Sequence, residues 1–150
     1  MGKLKIEGCV LSPLKRIPKV GGSILHGLKS SDVGYAGFGE VYFSSAGPGI
    51  ASDWKCHKNM TLNLIVPVGE IKFVLFDQRK ESSTFGNSVE VILGTRNYSR
   101  LTIPPGIWLA FKGIAASESF LANVANLEHD PLEAERVPLN TFYFEDEGDL

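Results

Sequence analysis

Polar and apolar positions alternate along most of this chain. Leu62, Leu64, Val66 and Val68 alternate with Asn63, Ile65 and Pro67, and Ile71, Phe73 and Leu75 alternate with Lys72, Val74 and Phe76. Val89, Val91 and Leu93 share one face, and Leu101 and Ile103 repeat the period. A period of two in β-branched and aromatic residues predicts strands. Several of these strands are apolar on both faces, which suits a sandwich or barrel with a covered exterior. Turn signals separate them: Gly69-Glu70, Gly86-Asn87, the segment from Gly94 to Asn97, and Pro104-Pro105-Gly106. The stretch from Gly69 to Gly113 therefore reads as four short strands, and no helix-length segment carries a 3.6-residue period.

The flanking segments continue the pattern. Residues 3–17 read as one or two strands broken near Ser12-Pro13, an edge strand or an arm that pairs with a second subunit. Lys19 to Ser23 is a turn, Ile24 to Leu28 a short strand carrying His26, and Ser30 to Gly34 a loop. Phe38 to Ser45 alternates again, with Glu40 and Tyr42 on one side; Glu40 is expected to pair with Lys72 across strands. Asp53 to Thr61 is the most polar stretch beside a predicted strand. Glu118 to Asn126 is the last strand. Residues 128–150 are rich in Asp and Glu and carry Pro131 and Pro138, which predicts a tail running over the surface and mobile at its end.

Composition narrows the classes. With 150 residues, 43% hydrophobic and 21% charged, the chain suits a single domain with its own core. A net charge of −2 gives no electrostatic footprint for nucleic acid or a membrane surface. No apolar run approaches the roughly 18 residues that span a bilayer, and the N-terminus has no long apolar segment of a secretory signal. Cys9 and Cys56 make no metal-type spacing. They read as reduced, inert thiols, which points to the cytoplasm.

The runs VGEIKFVLFDQRKESSTFG and SRLTIPPGIWLAFKG resemble the dTDP-4-dehydrorhamnose 3,5-epimerase family and its shorter relatives from surface-polysaccharide loci. The family pattern is a Gly-Glu-hydrophobic strand, then Asp-x-Arg-x-x-Ser-Pro-Thr-Phe/Tyr-Gly, then a strand ending Ile-Pro-x-Gly. Asp77, Arg79, Ser82, Thr84, Phe85, Gly86, Ile103, Pro104 and Gly106 match it. EGCVLSPLKRIPKVGGSI, FGEVYFSSAGPGI and DPLEAERVPLN extend the match to nearly the whole chain. The resemblance implies an all-β cupin, a double-stranded β-helix or jelly-roll barrel, as a homodimer. It also implies a nucleotide-linked 4-keto-6-deoxy sugar as ligand and no cofactor.

The implied chemistry is proton transfer beside a carbonyl. A base removes a proton from C3 or C5, an acid returns one to the opposite face, and a cation or donor steadies the enolate oxygen. In the short relatives the base lies in a Trp-His-x-His pattern, matched here by Trp54-Lys55-Cys56-His57. Lys55 or His57 is then the base and Asp77 its orienting carboxylate. Leu109 stands where a second-motif His would be, so a single imidazole remains and no metal site is implied. No Tyr lies at Asn126 to Glu128, the family's acid position, and Gly21 replaces a phosphate-binding Arg.

Structural readings stand beside these roles. Lys55 and Asp77, placed on neighbouring strands, form either an ion pair at the barrel mouth or a working lysine. Arg79 and Lys80 cap a turn or touch phosphate. Trp54, Trp108, Phe111 and Tyr42 wall a sugar cavity or simply pack. His26 and His129 read as surface histidines. The losses keep two classes open: an epimerase or isomerase, including a sugar 3,4-ketoisomerase, and a degenerate cupin that binds a nucleotide-sugar or a partner enzyme without turnover.

Overall fold

The structure is a computed structural model and describes residues 2–142. Its strands are β1 (Gly2–Lys3), β2 (Val10–Pro13), β3 (Arg16–Lys19), β4 (Gly22–Leu25), β5 (Glu40–Ala46), β6 (Trp54–His57) and β7 (Leu62–Val68). They continue as β8 (Glu70–Asp77), β9 (Ser88–Gly94), β10 (Ser99–Ile103), β11 (Ile107–Gly113), β12 (Ser119–Ala125) and β13 (Ala134–Val137). A single 3₁₀ turn, Leu139–Thr141, is the one helical element among the described residues. No helix is long and apolar enough to cross a membrane.

The four strands read between Gly69 and Gly113 are β8 to β11. Two antiparallel sheets face each other in the cupin double-stranded β-helix. One runs β1-β2-β10-β7-β12-β5 and the other β13-β6-β11-β8-β9. The period of two works as the pattern predicts. Leu62, Leu64 and Val66 of β7 meet Ile71, Phe73 and Leu75 of β8, Val91 and Leu93 of β9, and Leu101 and Ile103 of β10 in one core. Each such side chain stabilises the fold by roughly 1.5–3 kcal/mol. Gly69 makes the β7–β8 turn at φ +86°, where a Cβ would run into Ser119.

One side of the barrel is closed where β9 packs on β7 and β10. Edge strands β5 and β13 lie at the far ends of their sheets. Strands β3 and β4 form a separate two-stranded hairpin, exposed at every residue.

Several expectations are corrected. Residues 128–142 are not a loose surface run: Ala134 to Val137 pair with Trp54 to His57, register Arg136↔Lys55 and Ala134↔His57. The mobile end expected at residues 143–150 lies outside the described residues. Glu40 does not face Lys72. It pairs with Ala125 in the six-stranded sheet, whereas Lys72 pairs with Glu90 at 3.6 Å in the other. The chain after Lys19 returns as a hairpin strand ending at Leu25, so His26 lies just past it.

Candidate active site

A cavity of about 210 Å³ lies between the two sheets, lined by Tyr42 and Ser44 of β5, Lys55 and His57 of β6, Leu109 and Phe111 of β11, Asn123 of β12 and Arg136 of β13. Alternation along β6 decides this. Lys55 and His57 point inward, while Trp54 and Cys56 point to the outer face of the sheet. Both edge strands contribute, which places the cavity at the side of the barrel that β9 leaves open.

His57 carries the most developed arrangement. Its Nδ1 lies 2.6 Å from Glu133 Oε1, and the two residues are each 8% exposed. The other carboxylate oxygen accepts the backbone N–H groups of Asn59 and Met60, both at 2.7 Å. Burial raises the Glu133 carboxyl, and the bonds from His57, Asn59 and Met60 bring it below the ordinary value. An ionised carboxylate only accepts, so the proton sits on Nδ1 and the lone pair on Nε2. Burial, against the pull of Glu133, moves the imidazole below its ordinary 6.5, so the ring is neutral at pH 7. A neutral, oriented imidazole beside a cavity has the form that general-base chemistry requires.

Two cations and a hydroxyl complete the wall. Lys55 stands directly across from Arg136 in the strand register, with Leu109 on its other side. Burial first, and the Arg136 charge second, lower the Lys55 ammonium from 10.5. From the facing sheet, Tyr42 Oη accepts a hydrogen bond from Asn123 Nδ2 at 3.0 Å, which leaves its own hydrogen to donate. Face-to-face sheets lie about 10 Å apart, so His57 and Tyr42 line the cavity from opposite sheets.

Other predicted site residues lie elsewhere. Asp77 is not beside Lys55, because β11 runs between β6 and β8. Its fully buried carboxylate accepts from Arg79 Nε at 2.9 Å, Ser82 Oγ at 2.7 Å and Thr84 Oγ1 at 2.7 Å. Burial raises this carboxyl, but those bonds hold it well below the usual carboxylate range. The orienting role read for Asp77 falls geometrically to Glu133. Arg79 caps that turn and reaches the Glu7 carbonyl, tying residues 5–8 to the barrel. Trp54 and Trp108 do not wall the cavity. They pack on the outer face around Phe142, and Trp54 Nε1 donates to the Leu139 carbonyl. Tyr42 and Phe111 do line the cavity.

Glu133, Arg136 and Asn123 escaped the sequence reading. Glu133 and Arg136 sit in the acidic tail, where only the short run Ala134 to Val137 signals a strand. Among the described residues, no group of three or more His, Cys, Asp and Glu side chains is arranged to hold a metal ion. Burial pushes the Cys9 thiol to about 12 and Cys56 to about 11, so neither is a nucleophile at neutral pH.

No protein-family model matches the chain. Its structure is similar to that of a dTDP sugar isomerase from Desulfovibrio desulfuricans, at 39% identity and a TM-score of 0.91, over 94% of this chain and 90% of that one. It is similar also to dTDP-4-dehydrorhamnose 3,5-epimerase from Sulfolobus tokodaii, at 25% identity and a TM-score of 0.80, over 94% and 83%. The probable low-salt glycan biosynthesis epimerase Agl13 of Haloferax volcanii is 30% identical over 100 residues, 65% of this chain. That match spans 64% of the relative's own length. With the barrel, its inward histidine and a 39% identical relative covered almost end to end, the chain belongs to the family of dTDP-sugar isomerases and dTDP-4-dehydrorhamnose 3,5-epimerases.

Proposed function

We propose that this protein is an epimerase or isomerase acting on a nucleotide-linked 4-keto-6-deoxy sugar in the biosynthesis of a surface polysaccharide or deoxysugar. The His57–Glu133 pair carries the reading: a buried carboxylate fixes a neutral imidazole with its basic nitrogen free at a cavity. A cavity near 210 Å³ has room for a pyranose ring and none for a nucleotide, so the nucleotide lies across the mouth.

His57 Nε2 removes the proton beside the carbonyl, and the electron pair moves onto the carbonyl oxygen. Tyr42, across the cavity, returns a proton to the opposite face. Lys55 supplies the electrophilic group for the developing charge. The barrel is thus furnished for turnover, which disfavours the binding module without chemistry. The 39% identity to a dTDP sugar isomerase favours a second reading, a 3,4-ketoisomerase. In that reaction the enediolate regains its proton at C4 and the carbonyl appears at C3.

The test is incubation with dTDP-4-keto-6-deoxyglucose in D₂O, following the C3 and C5 protons by NMR. Exchange faster than in the protein-free control is expected, and a C3 carbonyl signal would assign the ketoisomerase. Absence of both exchange and binding overturns the reading.

The same reading includes a homodimer. An isolated two-stranded hairpin is marginal in water, and β3–β4 exposes Ile17, Val20 and Ile24, while edge strand β5 exposes Val41 and Phe43. A second copy covering the hairpin satisfies it. Light scattering at micromolar concentration should give twice the chain mass, and a monomer refutes the dimer. The same proposal has the protein in the cytoplasm, a reading that the two free thiols, Cys9 and Cys56, support.

A further inference from the structure

Lys55 is an unusual lysine for its position. It is half-buried, it lines the cavity, and it makes no ion pair among the described residues. Its cross-strand neighbours are a cation, Arg136, and an apolar side chain, Leu109. Like charges directly opposite on paired strands repel, and Leu62, Leu64 and Leu121 add apolar wall. A lysine kept merely as a positive charge is usually given a carboxylate. Glu133 favours the ammonium, but burial against this apolar wall and the Arg136 charge outweigh it and push Lys55 toward the free amine, the nucleophile that adds to carbonyls. His57, two residues along the same face and about 7 Å away by strand rise, supplies a base.

We infer that Lys55 acts covalently, forming an iminium with the keto carbon of the sugar while His57 removes the neighbouring proton. The inference rests on the reading of this cavity as a keto-sugar site and gives it a different electron sink. The Lys55 Nζ adds to the carbonyl carbon. The resulting carbinolamine takes up one proton and loses one water, leaving a cationic C=N bond. His57 takes the adjacent C–H proton, and that electron pair moves to nitrogen, giving a neutral enamine. Reprotonation at carbon restores the iminium. Water then releases the ketone and the free amine, and no external oxidant or reductant is consumed. Arg136 is a positioning residue here: its charge favours the free amine before attack.

The experiment is reductive trapping. The protein is mixed with dTDP-4-keto-6-deoxyglucose and cyanoborohydride, which reduces C=N in preference to C=O, and is then mapped by peptide mass spectrometry. The expected adduct carries the mass of the substrate less one oxygen, on the peptide holding Lys55. Lys55→Arg keeps the charge but cannot form the iminium. It should give no adduct and lower C–H exchange by about 100-fold or more, as for loss of a chemical participant, with its melting temperature near wild type. The titratable and charged groups around Lys55 are Arg136 across the strand pair, His57 on its own strand, Glu133, and Asp53 in the same cavity lining, and in Arg136→Gln the pH for half-maximal trapping should move upward as the repulsion is removed.

Exchange by the wild type with no Lys55 adduct overturns the iminium and leaves the proposed function standing. So does wild-type exchange in Lys55→Arg, or an adduct spread over surface lysines. A wild type that neither exchanges, traps nor binds the sugar overturns both.

Discussion

Replacing Glu133 in two ways separates what it does for the fold from what it does for the chemistry. The carboxylate holds three donors: His57 Nδ1 at 2.6 Å and the backbone N–H groups of Asn59 and Met60 at 2.7 Å. Glu133→Ala strands His57 Nδ1 and the Met60 N–H in a buried setting and frees the Asn59 N–H in a partly buried one. Each unsatisfied buried group costs roughly 1–3 kcal/mol, and with the Asn59 N–H within reach of water the total is about 3–5 kcal/mol. For a chain of this size the melting temperature should drop by roughly 6–20 °C.

Glu133→Gln behaves differently. Its carbonyl oxygen can still accept Asn59 and Met60, but its NH₂ then faces His57 Nδ1. The opposite rotamer sets the NH₂ against two backbone donors, which is worse. The imidazole must therefore accept at Nδ1 and carry its proton on Nε2, the wrong tautomer for a base. Stability should fall by only about 1 kcal/mol, while C–H exchange falls by about 10²–10⁴-fold. Differential scanning calorimetry and the D₂O exchange assay read the two quantities on the same samples. A Glu133→Gln protein that exchanges at the wild-type rate refutes the dyad, whatever its melting temperature.

The remaining predictions use other contacts. Tyr42→Phe should leave proton removal by His57 within a few-fold yet slow net conversion to product by about 100-fold; equal loss of both in the NMR assay contradicts the two-sided arrangement. Exchange should fall on an acid limb displaced below the ordinary imidazole value, because burial lowers His57 and only the neutral ring is a base; a midpoint above 7 for that limb in the pH–rate profile contradicts it. Asp77→Asn should cost about 3–5 kcal/mol without changing exchange at saturating substrate, since Asp77 holds the turn and not the sugar. The Asp77 carboxyl titrates lower in the folded chain than in the unfolded one. Its stabilising effect is therefore complete above about pH 4 and is lost as pH falls further. Urea melts should show a shallower acid slope in Asp77→Asn than in wild type, and an unchanged slope refutes the assignment.

Local chemistry made the strands legible. Period-two alternation fixed which residues of β7 to β11 face the core, and Gly and Pro marked their turns, because side-chain direction in a strand depends only on parity. The resemblance supplied the barrel and the histidine. The order of strands within each sheet is a long-range property, and it decided the site. Inserting β11 between β6 and β8 took Asp77 out of reach of Lys55 and left it a turn carboxylate in a network with Arg79, Ser82 and Thr84. Parity around Trp54-Lys55-Cys56-His57 sent the tryptophan outward, where residues 137–142 fold over it, and Trp108 follows in the same register. Pairing of β13 with β6 turned a stretch read as acidic tail into the source of Glu133 and Arg136, some 76 residues or more from the side chains they act on. The sequence alone determined the element type, the core face and the His57 candidate. Tertiary structure decided which carboxylate holds that histidine, which cation faces Lys55 and which hydroxyl stands opposite, because these partners meet only once the sheets have closed.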